Sequence, residues 1–518
     1  MNVFLRIALL IFFLLPAAAA AAEKIIFVPM DDRPVNLSYA EDILKSAGWE
    51  IVSPPAELLA SRYKSGDPDK LMAWLEEQSR TASSAVVAAD ALIYGGLVAS
   101  RTHDYAADVL NARAERLIGL KNRYVYFNLY VFGTIMRTPR SFSKGTEPPY
   151  YEEWGADIFR LSALEDKEGI RRLSRREKAE KRELLAKIPA RVRGDWLNRR
   201  ALNFGVNKLL LAAAEGAFDY FALGRDDTAP FSQSRKEARL LAQESAAARL
   251  YNYRSFPGAD QLGLLLLTRA VLDRRQYIPF VYVEYAGGAG RETVPSYEDA
   301  PVGLTVNDHI YAVGGMPVRT AERADLAFFI NTPQSGATLE AAAPENTAAV
   351  NGHAQSFIEL IKKQMRANKK AAIADVEFGN GASNALVAGI CREGLSCRID
   401  AYAGWNTAGN SIGYALGQGL LAPYMEDNDR ERLLAVRYMD DWAYQANVRG
   451  ALYRDIVWPR GLDGSELDKH KEMLAAAALT KMTALARAYL PQSGRYRLTV
   501  DFPWNRLFEL AVVLKNAT

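Results

Sequence analysis

One recurring alternation constrains this chain more than any other feature. Apolar runs of strand length, among them KIIFVP, EIVSP, AVVAAD, RYVYFNLYVF, DYFALG, PFVYVEY, DLAFFIN, KAAIAD and CRIDAYA, are separated by stretches with helical periodicity such as EDILKSAG, DKLMAWLEEQSR and ASNALVAGICREG. Runs that are apolar along their whole length belong to strands covered on both faces, and such strands alternate with helices in parallel sheets. The chain therefore reads as an α/β protein. Residues 23–420 are expected to form a parallel (β/α) barrel-like core, broken by a charged helical insertion at about 150–215. Residues 421–518 read as a mainly helical region packed on that core and closed by a strand or cap in YRLTVDFPWNRLFEL. Nine or ten candidate strands exceed the eight of a simple barrel. Two doubly wound α/β domains split near residue 290 therefore stand as the alternative.

The N-terminus, MNVFLRIALLIFFLLPAAAAAAEK, has one basic residue (Arg6), an apolar run from Ile7 to Leu15 and a small-residue stretch. That order is a secretory signal peptide, and the run is short of the roughly 20 residues that span a bilayer. Residues 1–22 are expected to be removed, leaving an exported protein, periplasmic or secreted, without a membrane anchor. In that compartment Cys391 and Cys397, the only cysteines, bracket a helix-to-strand turn and are expected to form a disulfide. Two cysteines and four histidines are too few for a structural zinc site. The 64 basic and 61 acidic residues give no electrostatic case for nucleic acid. The basic stretch GIRRLSRREKAEKRELLAKIPARVR is interleaved with acids and reads as a solvated helix face.

Polar residues gather where the apolar runs end. Asp31, Asp32 and Arg33 follow the first run, and Asp90 ends AVVAAD. Arg137 follows RYVYFNLYVFGTIM; Arg225, Asp226 and Asp227 follow DYFAL. Glu284 ends PFVYVEY; Asp375, Glu377 and Asn380 follow KAAIA; Trp405, Asn406 and Asn410 follow CRIDAYA. Ligands of parallel α/β folds bind outside the carboxyl ends of the strands, so these residues are expected to converge on one cleft. Any single strand end is equally readable as a cap or turn; it is the repetition that points to a site.

DDRPVN, ALIYGGLVASR, GRDDTAPF, PGAD, NGAS, YAGWNTAGN, DDWAYQANVR and FPWNR together resemble the exported bacterial family known as domain of unknown function 4127, over nearly the whole chain after residue 22. The family name implies no chemistry. PGADQ departs from the family's PGADE, so Gln261 is not expected to be catalytic.

The chemistry must come from the residues themselves. Carboxylates, Arg, Asn and aromatics, with little His or Cys, are the inventory of glycoside hydrolysis, which pairs a protonated carboxylic acid with a second carboxylate. Adjacent Asp226 and Asp227 resemble the Asp-Asp pair of hexosaminidases that use the substrate's acetamido group, the first orienting and the second donating the proton; Glu284 and Asp375 are the alternative acid and nucleophile. Asp31, Asp32, Arg33, Asp90, Arg137, Arg225, Asn380, Trp405 and Asn406 are the expected substrate contacts, and Trp442, Trp504, Tyr94 and Tyr285 are further aromatic candidates. Two other readings remain open. A phosphate or sulfate ester hydrolase would use Mg²⁺ or Ca²⁺ on the same carboxylates, and a non-catalytic sugar-binding protein would need no paired acids. The glycosidase reading requires no cofactor, and its partner is a carbohydrate or cell-wall-type molecule.

Overall fold

The computed structural model describes residues 24–124 and 126–517; the expected signal peptide lies outside them. The fully apolar runs do become parallel strands covered on both faces, and the fold is α/β. The strands do not close into one barrel. The first sheet contains β1 (Lys24–Val28), β2 (Glu50–Val52), β3 (Ser84–Ala88), β4 (Asn128–Ile135), β5 (Tyr220–Arg225) and β6 (Tyr253–Pro257), ordered β2-β1-β3-β4-β5-β6. The second contains β7 (Phe280–Tyr285), β8 (Met316–Val318), β9 (Leu326–Asn331), β11 (Lys370–Asp375) and β13 (Ala401–Ala403), ordered β13-β11-β9-β7-β8. Every pairing in both sheets is parallel. In each sheet the first strand has the second on one side and the third on the other. That reversal is a topological switch point, which opens a crevice at the strand ends of a doubly wound sheet. The finding corrects the barrel expectation: there are two open sheets, and the chain passes from one to the other between Pro257 and Phe280.

The two sheets share a core. The helix Leu262–Arg274, whose sequence LGLLLLTRAVLDR is apolar nearly all round, joins them and lies against the helix Ala408–Leu421. Only Arg269, Asp273 and Arg274, in its C-terminal half, reach solvent, so the helix carries almost no polar face. The insertion after β4 is three helices, Tyr151–Glu168, Arg175–Lys187 and Ala190–Ala217. Its own small core contains Ile158, Leu161, Leu164, Leu184 and Trp196. Ser174 starts the middle helix with a reciprocal capping box to Glu177.

The C-terminal region is helical from Asp427, with a wide π-helical stretch at Tyr438–Val448. It ends in an antiparallel hairpin, β14 (Tyr496–Asp501) with β15 (Ala511–Asn516). Two remaining short strands, β10 (Leu339–Glu340) and β12 (Phe378–Gly379), pair beside the second sheet.

The expected disulfide is not formed: Cys391 and Cys397 are free. Burial raises the Cys391 thiol to about 12, and the Cys397 sulfur faces the Ser396 hydroxyl at 4.0 Å. Alkylation of denatured, unreduced protein is expected to add two groups. A mass showing none added would contradict the free thiols.

Candidate active site

A cleft of about 880 Å³ opens where the carboxyl ends of both sheets meet. The first sheet sends Arg33 from the loop after β1, Arg101 from the segment after β3 and Arg137 from beyond β4. It adds Asp226 and Asp227 after β5 and Asp260 after β6. The second sheet sends Tyr297 and Glu298 after β7, Asn380 after β11 and Asn406 after β13. Trp504, Arg506 and Phe508 of the C-terminal region complete the wall.

Parallel strands deliver their ends to one face, which is why residues so far apart in sequence meet here. Four of the non-glycine lining residues hold left-handed backbone: Asp227 (φ 39°), Tyr297 (67°), Asn380 (59°) and Asn406 (61°). Such conformations are costly for residues with a side chain and cluster at functional sites.

Two charge networks form the floor. In the first, Arg33 donates to Asp31 from Nε at 3.0 Å and Nη2 at 2.8 Å, and to Asp260 Oδ1 from Nη2 at 2.6 Å. Its guanidinium lies 4.8 Å from the Trp504 ring centre, and the Trp504 indole donates to Asp32 Oδ1 at 2.6 Å. Burial, then the neighbouring Asp31, raises the Asp32 carboxyl above its ordinary value. Asn406 Nδ2 reaches Asp260 Oδ2 at 3.5 Å, so this network joins the two sheets.

In the second network, Asp226 and Asp227 stand between two arginines. Arg101 Nη2 donates to Asp226 Oδ2 at 2.7 Å, and Arg137 Nη1 to Asp227 Oδ2 at 2.5 Å. Glu147 lies between the same arginines, 3.4 Å from Arg101 and 2.5 Å from Arg137. Burial, and then the charge of Asp226, push the Asp227 carboxyl up to about 6 in spite of Arg137 and Arg101. The Asp227 carboxyl therefore keeps its proton to a higher pH than an ordinary aspartate does. Burial opposes the charge of Arg137, yet Glu147, Asp227 and Asp226 hold it above the ordinary arginine value.

Glu298 is a further acid of the cleft, and no sequence pattern marks it. It is buried, its Oε1 accepts the Gly409 amide, and burial raises it to about 8. A side chain at Gly409 would meet the Pro257 carbonyl at 2.5 Å, so glycine lets this helix start close under β6. The folded protein therefore keeps a proton on Glu298 that the unfolded chain releases above about 4.5. Stability from this group is present below that value and falls as pH rises towards about 8. Glu298→Gln should flatten the slope, each pKa unit being about 1.4 kcal/mol. Urea unfolding of both proteins at acid and alkaline pH checks it, and parallel curves would contradict it.

Of the residues expected from sequence, Arg33, Arg137, Asp226, Asp227, Asn380 and Asn406 line the cleft, and Asp31 and Asp32 sit directly behind it. The others do other work. Asp90 is buried beneath Thr134 at 3.1 Å and raised by burial to about 7. Arg225 is paired with Asp299 at 2.6 and 2.8 Å. Glu284, half-buried on β7, accepts the Tyr282 hydroxyl at 2.5 Å. Asp375 is buried, accepts Asn331, the Ser383 amide and Tyr402, and is raised by burial and then Glu377 to about 6. Trp405 is buried against Phe508, with ring centres 6.3 Å apart.

Gln261 is also buried, bonded to the Pro257 carbonyl and His309. Asp440, Asp441 and Trp442 serve position. Asp441 accepts the Gly404 amide, and Trp442 donates to Asn384, which ties the loops beside Asn380 and Asn406 to the π-helical stretch. Arg101 and Asp260 were missed as site residues although their motifs, GGLVASR and PGAD, stood out. Among the described residues, no three His, Cys, Asp or Glu side chains are grouped as ligands of one cation.

Residues 25–513 match the model of a family described as a protein of unknown function (DUF4127). No curated protein matches the chain.

Proposed function

The chain belongs to the DUF4127 family, whose description assigns no chemistry, and from its cleft we propose that it is a glycoside hydrolase. The observation that carries this reading is the Asp226–Asp227 pair at the end of β5, facing a cleft that other acids, asparagines and aromatics also line. Hydrolysis of a glycoside needs a carboxylic acid still protonated near neutral pH beside a carboxylate. Asp227, raised to about 6, is the proton donor. As the bond between the anomeric carbon and the leaving oxygen breaks, the Asp227 proton passes to that oxygen. Asp226, fixed by Arg101, faces the positive charge that develops on the sugar ring or holds a substituent against it. Water then adds to the anomeric carbon, and its proton restores Asp227. Asn380, Asn406 and Tyr297 supply hydrogen bonds and a half-exposed ring for the sugar.

The cation-dependent ester hydrolase calls for carboxylates with oxygens left over for an ion. Asp31, Asp226, Asp227 and Asp260 each commit an oxygen to an arginine. A second reading is favoured by the architecture. Two doubly wound units meeting at their strand ends suit a protein that closes on a ligand without turnover. The experiment is a panel of aryl glycosides and cell-wall oligosaccharides, each assayed with and without chelator. Chelator-insensitive release is the expected result. Calorimetric binding of an intact oligosaccharide without release would favour the second reading and overturn the first.

A further inference from the structure

The helical insertion sorts its charges by side. Residues 171–193 hold ten basic and three acidic residues, which leaves 54 basic and 58 acidic in the rest of the sequence. A modest overall charge of +3 therefore hides a segment of +7 on a body of −4. In a solvated helix face, acids would stand beside bases in the water. Here two of the three acids turn inward: Glu180 pairs with Arg160 at 2.6 Å and Glu177 with Lys167. Arg175, Arg176, Lys178 and Arg182 are left exposed on the outer side of the helix Arg175–Lys187, with no ion-pair partner within 4.0 Å among the described residues; Glu183 shares that face, and Glu180 and Glu168 act on Arg176 and Lys178 only from longer range. At the turn leading into that helix, Arg171 and Arg172 are exposed and adjoin Ile170, an aliphatic side chain 55% exposed.

We infer that this face docks on an anionic lipid surface. Clusters of four to eight basic side chains on a helix bind such surfaces. An exposed aliphatic tip among arginines gains by entering the headgroup layer, where a soluble polyanion would offer it nothing. Among the described residues no helix is long and apolar enough to cross a membrane; the contact is peripheral. Its geometry bears on the cleft. Phe159, on the helix packed against the basic one, lines the cleft, and that helix ends at Glu168, just before Ile170. The docked face and one wall of the cleft therefore belong to the same helical insertion. The inference does not depend on the glycosidase reading.

The test is sedimentation of residues 23–518 with phosphatidylcholine vesicles with and without phosphatidylglycerol, at low and high salt. Binding to the anionic vesicles alone, lost in high salt, is expected. Each basic side chain is worth about fivefold in partition, so R175E/R176E/K178E/R182E should weaken binding more than 100-fold, while circular dichroism confirms that the exposed substitutions leave the fold intact. Ile170→Ser should weaken vesicle binding and leave retention on dextran sulfate unchanged. Equal binding to both vesicle types, unchanged binding of the quadruple variant, or retention on dextran sulfate with no vesicle binding would overturn the inference.

Discussion

Asp227→Asn should abolish hydrolysis of substrates with poor leaving groups and leave folding intact. A lost general acid costs about 10²- to 10⁴-fold in rate. The side chain is partly exposed at the cleft (26%) and its removal opens no cavity, so little stability is at stake. An aryl glycoside whose leaving group departs without a proton should keep much of its rate. Asp226→Asn should slow both substrate types, because its role lies at the sugar and not at the leaving oxygen. In the wild type, activity that depends on the Asp227 proton should fall as pH rises above about 6. Rate constants for each variant on one poor and one good leaving group separate the two roles. If Asp227→Asn lost the same factor on both, proton donation would be assigned to another group, with Glu298 the next acid facing the cleft.

Arg33→Ala should have the largest effect on stability. The Arg33 side chain is 7% exposed and lies against Asp31 and Asp260, at 1% and 5%. It also lies, with Arg506, over the Trp504 ring and links the first sheet to the C-terminal wall. Removing one member of a buried ion network leaves the others charged and unpaired, at a cost of about 3–5 kcal/mol. Neutralising the stranded acids should recover part of that loss, so Arg33→Ala/Asp31→Asn/Asp260→Asn should be more stable than Arg33→Ala alone. Denaturant unfolding at neutral pH checks both statements. A loss below about 1 kcal/mol, the value of an exposed pair, would contradict the description of this network as buried.

The class of fold was legible because strands covered on both faces are apolar throughout, as KIIFV and LAFFIN are. Whether they close into a barrel was not, because repeated βα units look alike in sequence whichever way the sheet is wound. Strand number failed at the edges. β6 (YRSFP) and β8 (MPV) lie at the ends of their sheets, with only one neighbour each, and carry Pro or exposed side chains that read as loop.

The candidate site was legible where an acid or arginine directly follows an apolar run, as at Arg33 and Asp226–Asp227. Glu284 and Asp375 satisfy the same rule and yet lie off the cleft. Glu284 bonds a tyrosine on its own strand, and Asp375 is consumed by three internal donors. Position at a strand end does not say which way a side chain faces. Glu298 follows β7 only after a long irregular segment, so no pattern marked it; its burial beside Gly409 is visible only in three dimensions. The cysteine pair failed for a related reason: a short spacing across a turn is legible in the sequence, but it does not by itself make a bond, and both thiols are free.

The most direct test is release of reducing ends from an oligosaccharide that the wild type degrades, measured for the wild type and for Asp226→Asn/Asp227→Asn with both proteins shown to be folded. The cleft as described predicts steady, chelator-insensitive release by the wild type and none above background from the double variant. Release by the double variant at the wild-type rate would contradict it, because the bond would then be broken without the two carboxyls at the end of β5.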